Sequence, residues 1–304
     1  MYPGVIKQQY EDWKVCEISA EPLTGEGEHA YFFVEKVGLN TEDIVRSLCD
    51  AWNVSRVDVG YAGRKDRQGI TRQWFSVKLA HNQWPQIEGA TCLKTDRHVR
   101  KLRIGNLLGN HFDILLRDAE IPAEQLDHLT QGFPNLFGIQ RVSASNVAQA
   151  QTWLQSRPRR VDRKAKAKRT KNKVPSRSLE GWHMSVLRSH LFNEVVKLRL
   201  LPDSSLRVHP GDVLEAGFPS APLWGRGRSR TKGEALSIEE QALAPFKEVC
   251  DGLEFAGVQQ ARRAMWVKPS NWQIEGLANS QIRFSFTLPK GVYATSLLAA
   301  AHKE

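Results

Sequence analysis

Apolar and polar positions divide the chain into three stretches. In the first, short apolar runs dominate. Trp13-Lys14-Val15-Cys16-Glu17-Ile18 alternates as a half-buried strand does, and His29 to Val37 reads as a second strand. The Gly25-Glu26-Gly27-Glu28 turn between them predicts that the two pair with each other. Asn40-Thr41-Glu42-Asp43 opens a helix whose Ile44, Leu48, Ala51 and Trp52 share one face. Its acids occupy the first turn, where the helix dipole favours them. Val57 to Val59 and Trp74 to Leu79 are apolar runs on either side of a glycine-bearing loop. Arg97 to Ile104 is basic and extended, Asn110 to Arg117 alternates as a strand, and Glu124 to Thr130 is a short helix ended by Gly132 and Pro134.

The pattern changes at Asn135. Helices are predicted from about Ser145 to Gln155, from Ser178 to Leu201 with an i, i+4 apolar stripe, and from Ser237 to Cys250. A Gly- and Pro-rich basic stretch, Leu214 to Lys232, separates the last two. Alternation returns in Ile282 to Leu288, and a terminal helix follows from Val292 to Ala299. The expected fold class is α+β. The changes of pattern near Asn135 and Phe255 divide the chain into 1–134, a mostly helical insertion over 135–255, and 256–304, where mixed structure returns.

Charge sharpens this division. The chain of 304 residues carries a net charge of +10, and ten of its 43 Lys and Arg fall between Arg157 and Lys173 against one acid, Asp162. The remainder is close to neutral, so the basicity is a local device. Arg157, Arg159, Arg160, Arg163, Lys164, Lys166, Lys168, Arg169, Lys171 and Lys173 read as a phosphate-binding footprint. Arg97 to Arg103 and Arg226 to Lys232 are lesser basic candidates. The four cysteines are scattered, with no CxxC pair and no histidine at ligand spacing, which argues against a zinc site and for a reducing cytoplasm. No run is long and apolar enough to span a membrane, and the first residues lack a signal-peptide pattern.

The loop from Gly60 to Gln73 is the densest in chemistry. It sets one carboxylate, Asp66, among Arg64, Lys65, Arg67 and Arg72, with glycines at 60, 63 and 69. On its own such an acid is better explained as a turn former.

Other stretches change that reading. Gly60-Tyr61-Ala62-Gly63-x-Lys65-Asp66-x-x-x-x-Thr71-x-Gln73 resembles the signature of the TruD family of tRNA pseudouridine synthases. Further matches follow in family order: Lys7 with Glu11 to Glu17, Gly109-Asn110-x-Phe112, Pro134-Asn135-Leu136-Phe137-Gly138-x-Gln140-Arg141, Arg188-x-x-Leu191-Phe192-Asn193, Ala261-Arg262-Arg263-Ala264, and Leu288-Pro289-x-Gly291-x-Tyr293-Ala294-Thr295-Ser296. The chain departs from the family pattern at Tyr10, Leu136 and Val142-Ser143, where Pro, Tyr and Phe-Gly are usual.

The resemblance implies a pseudouridine synthase catalytic domain with a mixed or antiparallel sheet, made from both chain ends, with an inserted TRUD domain that helps to hold RNA. It implies an isomerase acting on tRNA, at uridine 13 in bacterial members. Asp66 becomes the catalytic carboxylate and Lys7 its basic partner, with Trp13, Lys65, Asn110, Phe112 and Tyr293 as substrate contacts. The reaction breaks the C1′–N1 bond and joins C1′ to C5. It needs neither cofactor nor metal. Asp66 could attack the sugar as glycosidase carboxylates do, abstract a ribose proton, or attack the uracil ring. A cytoplasmic monomer is expected. The competing readings are an RNA-binding or RNA-chaperone protein whose synthase site has lapsed, and a synthase for another RNA.

Overall fold

Strands from both ends of the chain lie in one sheet. The computed structural model describes residues 2–20, 22–157, 177–201, 205–277 and 279–301. Its first part contains β1 (Trp13–Ser19), β2 (His29–Val37), α1 (Thr41–Trp52), β3 (Gly60–Tyr61), β4 (Ile70–Lys78), β5 (Ala90–His98), β6 (Leu107–Leu116) and α2 (Ala123–Gln131). Asn40 caps α1 as its sequence predicts: the side chain accepts from the Glu42 and Asp43 amides, and Asp43 reaches back to the Asn40 amide.

β1 and β2 do not pair. β4 lies between them, parallel to β1 with Val15 opposite Thr71, and antiparallel to β2 with Phe32 opposite Phe75. The glycine turn reverses the chain, but the buried face chooses the neighbour. Phe32, Val34, Phe75 and Val77 must all face α1, where Ile44, Val45 and Leu48 cover them. β5 pairs only with β2 and forms the sheet edge. Lys94, Asp96 and Arg97 on it suit an edge, and they hide the strand from apolar periodicity.

The second part contains β7 (Phe133–Pro134), α3 (Ala144–Ser156), α4 (Arg177–Arg199), β8 (Leu214–Glu215), β9 (Phe218–Leu223), α5 (Gly233–Leu243), α6 (Lys247–Ala256), β10 (Ala261–Ala264) and β11 (Trp266–Val267). The continuous helix expected over 237–250 is broken at Pro245 by a 3-10 turn, Ala244–Phe246, because proline cannot continue the hydrogen-bond ladder. α4 buries Val186, Leu187, Leu191, Phe192, Val195 and Val196 completely. Asn193 on α4 closes both polar groups of the Phe137 backbone, accepting from its N–H and donating to its carbonyl at 2.9 Å each. Arg188 donates to the Leu223 and Gln259 carbonyls. These motif residues thus hold the second part together.

The chain then returns as β12 (Ser270–Leu277), β13 (Gln281–Pro289) and α7 (Ala294–Ala300). The main sheet runs β12-β13-β6-β1-β4-β2-β5, with β3 beside β4. Contacts divide the molecule into one compact unit of residues 1–131, 268–294 and 298–304 and a second of 132–267 and 295–297. The return comes at Lys268 rather than near Phe255, because β10 pairs with β9 and β11 with β7. Among the described residues no helix is long and apolar enough to cross a membrane.

Candidate active site

One face of the sheet carries an uncommon set of side chains. Cross-strand partners share a face, and alternate residues of a strand return to it. Trp13, Val15 and Glu17 on β1 lie opposite Ile114, Phe112 and Asn110 on β6. Phe286 and Leu288 on β13 continue the last two rows. On the other side Val15 meets Thr71, and Thr71 meets Lys36. Glu17, Lys36, Thr71 and Gln73 are polar yet buried. A sheet face holds such groups only where something polar lies on top of it.

That partner is the loop between β3 and β4. Gln73 donates to the Gly63 carbonyl at 2.8 Å, and Lys36 to the Asp66 carbonyl at 2.9 Å. Thr41 at the start of α1 accepts from the Lys65 amide and donates to Gln73, both at 2.8 Å. Arg67 donates to the Gly38 carbonyl. The loop is therefore pinned along its main chain, and its exposed side chains are carried on a fixed base.

Asp66 points out of this base, with 58% of its side chain exposed. Lys7 Nζ holds its Oδ2 at 2.8 Å, while Oδ1 takes no hydrogen bond from the described residues. Lys7 is itself tightly placed. Its side chain is 10% exposed, its ammonium stands 4.3 Å from the Trp13 ring centroid, and its backbone is left-handed at φ 56°. A non-glycine residue in that region marks a constraint imposed by its surroundings. The constraint comes from the end of β6: Val5 and Arg117 exchange backbone hydrogen bonds at 2.7 and 3.0 Å, and Arg117 forks onto Asp12 at 3.0 and 2.8 Å. Burial pushes the Asp12 carboxyl up, but the Arg117 fork and the Gln9 amide outweigh it and hold it below the usual carboxylate value.

The structure brings Lys7, Trp13 and Asp66 together. Trp13 is buried, and it reaches the pair through Lys7. Gly69 closes over it: a Cβ there would stand 2.4 Å from the Trp13 carbonyl oxygen, at φ +148°. Gly69→Ala is therefore expected to cost about 1–3 kcal/mol in backbone strain alone. It should also lower turnover by loosening Trp13 beneath Lys7. Urea unfolding and a turnover assay on the same preparation check both effects.

Phe112 is buried and stacked on Phe286, centroids 5.4 Å apart at 25°. Asn110 is half-buried, and its Oδ1 is a buried acceptor without a hydrogen-bond partner among the described residues. An amide oxygen left open on this face can read a donor such as the N3–H of uracil. Tyr293 is half-buried beyond the end of β13.

Lys65 is placed differently from the other expected substrate contacts. Its ammonium turns under the loop to Glu17 Oε2 at 2.8 Å, with side-chain exposures of 5% and 1% for the two partners. Adjacent residues of the loop project to opposite sides, so Asp66 faces out and Lys65 faces the sheet. Sequence reasoning does not single out Glu17, Lys36 or Thr41. A signal exists for Lys36, a charged residue in step with buried Phe32 and Val34.

Of the basic candidates, Arg97 is spent on the Gly27 and Leu79 carbonyls and Asn82, and Lys101 on the Val57 carbonyl. Arg103 remains exposed. Arg226 donates to the Glu254 carbonyl. In the second unit, Arg157 lies over the Trp153 ring at 5.0 Å. The other basic positions from Arg159 to Lys173 lie outside the described residues. Among the described residues, no three His, Cys, Asp or Glu side chains are grouped as a metal site requires.

The family model for tRNA pseudouridine synthase D matches residues 2–148. The tRNA pseudouridine synthase D of Methylococcus capsulatus is 35% identical over 97% of this chain and 90% of its own length. That of Cellvibrio japonicus is 37% identical over 95% and 86%, and that of Aeromonas hydrophila 34% over 97% and 89%. A crystal structure from Methanosarcina mazei, described there as a candidate tRNA pseudouridine synthase D, has the same fold. It matches with a TM-score of 0.69 at 19% identity over 99% of this chain and 94% of that one. Similarity of this extent, running the length of both partners, makes the chain a member of the TruD family of tRNA pseudouridine synthases.

Proposed function

We propose that this protein isomerises a uridine of tRNA to pseudouridine, at position 13, with Asp66 as the catalytic carboxylate. The observation that carries the proposal is the Lys7–Asp66 pair at 2.8 Å. One carboxylate oxygen is fixed by a cation and the other is presented to solvent on a loop anchored along its backbone. That is what a reaction at a glycosidic bond asks of a single acid: an oxygen held in place before the substrate arrives. Lys7 orients the carboxylate, and Trp13 supports Lys7. Asn110 reads the uracil edge, and Phe112 on its Phe286 platform forms the apolar wall of the base pocket. Tyr293 closes the pocket from the far end of the chain. Lys65 acts beneath the loop and not on the substrate.

The test uses tRNA carrying tritium at C5 of uridine. Formation of the C1′–C5 bond expels the C5 hydrogen, so tritium release with stoichiometric loss of uridine supports the proposal. Tight tRNA binding without release would make the protein an RNA-binding protein instead. Mapping pseudouridine in tRNA before and after incubation identifies the position.

The basic run supplies the grip on phosphate in this reading. Removal of residues 159–171 is expected to weaken tRNA binding and to flatten its dependence on salt. Every phosphate that the shortened protein leaves unneutralised should reduce the slope of log K against log salt by about 0.7–0.9. Binding measured across a salt series checks this, and an unchanged slope would remove the run from the interface.

A further inference from the structure

We propose that Lys36 is a positioning residue of the reaction: it fixes the main chain of Asp66 from beneath the loop, by donating from Nζ to the Asp66 carbonyl oxygen. The inference rests on the assignment of Asp66 above.

Lys36 is fully buried, at 0% exposure, on a strand whose other inward residues are Ala30, Phe32 and Val34. Its Nζ donates to two main-chain carbonyls, that of Leu39 just before α1 and that of Asp66 in the loop. No carboxylate lies within ion-pair distance of it among the described residues. A buried cation without a counter-ion is costly, so burial of a lysine calls for hydrogen bonds that offset it. Replacement by an aliphatic side chain would strand two buried carbonyls, one of them belonging to the residue that carries the chemistry. The position of Lys36 in the sheet is set by its opposition to Thr71, so the amine reaches the loop from a rigid element.

The charged groups around it are Asp66 and Lys65 on the loop and Asp43 on α1, with Lys7 paired to Asp66 above. Burial pushes the Lys36 ammonium down to about 8, and the Asp66 charge opposes that fall. The deprotonated amine keeps two N–H donors for its two carbonyls but loses its charge. The loop is therefore held on both sides of that value, while the positive charge beneath Asp66 is present only below it.

Two signatures follow. In the native protein the lysine gives up its proton at about 8, whereas in the unfolded chain it does so near 10.5. The unfolded state binds more protons in between, so stability gains a contribution that grows as pH rises through that window. The turnover number should fall through the same lower value, as the charge beneath Asp66 disappears.

The experiment compares the wild type with Lys36→Met, which keeps the stem and loses the amine. Tritium release is measured from pH 6.5 to 9.5, alongside tRNA binding stoichiometry and urea unfolding. Expected are a folded variant, a dissociation constant within about threefold of wild type, and a turnover number down by roughly 10- to 100-fold. The wild-type limb near pH 8 and the rise of stability with pH should both be missing. Lys36→Arg retains a charge at every pH, and it should restore part of the turnover with no limb between pH 6.5 and 9.5. Wild-type turnover in Lys36→Met, an unmoved limb, or a loss matched by lost binding stoichiometry would each overturn the proposal. Absence of tritium release from the wild type would overturn the functional reading itself, which the other outcomes leave standing.

Discussion

Asp66→Asn is expected to lower turnover on the order of 10⁴-fold while leaving tRNA affinity within about threefold. Asparagine keeps the shape of the side chain and an oxygen for Lys7. It cannot act as a nucleophile at an anomeric carbon or accept a proton as a carboxylate does. The substitution costs the fold little, because the Asp66 side chain is 58% exposed and the loop is anchored through backbone carbonyls. Removing a negative charge from a surface that meets phosphates should, if anything, tighten binding. Tritium release and a binding isotherm on one preparation separate the two effects. Substantial residual turnover would remove Asp66 from the chemistry, and a parallel loss of binding would make it a docking residue.

Lys65→Met should fail in a different way. Glu17 would be left at 1% side-chain exposure without its ammonium, accepting, among the described residues, only the Trp74 amide at 3.3 Å. Breaking a buried pair from one side typically costs about 3–5 kcal/mol, because the remaining charge has lost both water and partner. Thermal unfolding should shift down by about 10 °C for a unit of this size. Adding Glu17→Leu should recover much of that loss, since the pair as a whole contributes less than either half costs alone. The folded fraction of Lys65→Met should still bind tRNA normally. Weakened binding at unchanged stability would restore Lys65 to the substrate-contact role that its place in the motif implies.

The contrast between these neighbours shows what a sequence can and cannot carry. Lys65 and Asp66 stand side by side in the motif, and only the structure tells that one faces the sheet and the other faces out. The strands with apolar alternation, Trp13–Ser19, His29–Val37 and Gln281–Pro289, are legible because one face of each is buried. Ala90–His98 is not, because an edge strand needs little apolar surface. The partner of β1 escapes sequence reasoning, since a turn fixes direction and not neighbour. β9 and β10 in the second unit are short, and prolines and arginines obscure them. The site is legible to the extent that its residues carry chemistry on their side chains. Lys36, Thr41 and Gln73 act on backbone atoms of the loop, and a linear sequence does not name a side chain's distant main-chain partner, even where a charge in step with buried residues marks the position, as for Lys36.

The pairing of β13 with β6 has a consequence for how the molecule is made. On the ribosome, residues up to Leu116 emerge well before Gln281, and at roughly 5–20 residues per second the interval is about ten to thirty seconds. Throughout it, β6 is an open sheet edge, and Phe112 has no Phe286 to stack on. Residues 132–267 emerge in that interval and make up all of the second unit but Thr295–Leu297, so that unit can begin to fold before β13 appears. A nascent chain can therefore hold a partly folded inserted unit while its catalytic sheet is unfinished. Such a chain is a natural client for a chaperone that shields strand edges, and translation arrest before Gln281 leaves a half-built sheet prone to pair with its copies.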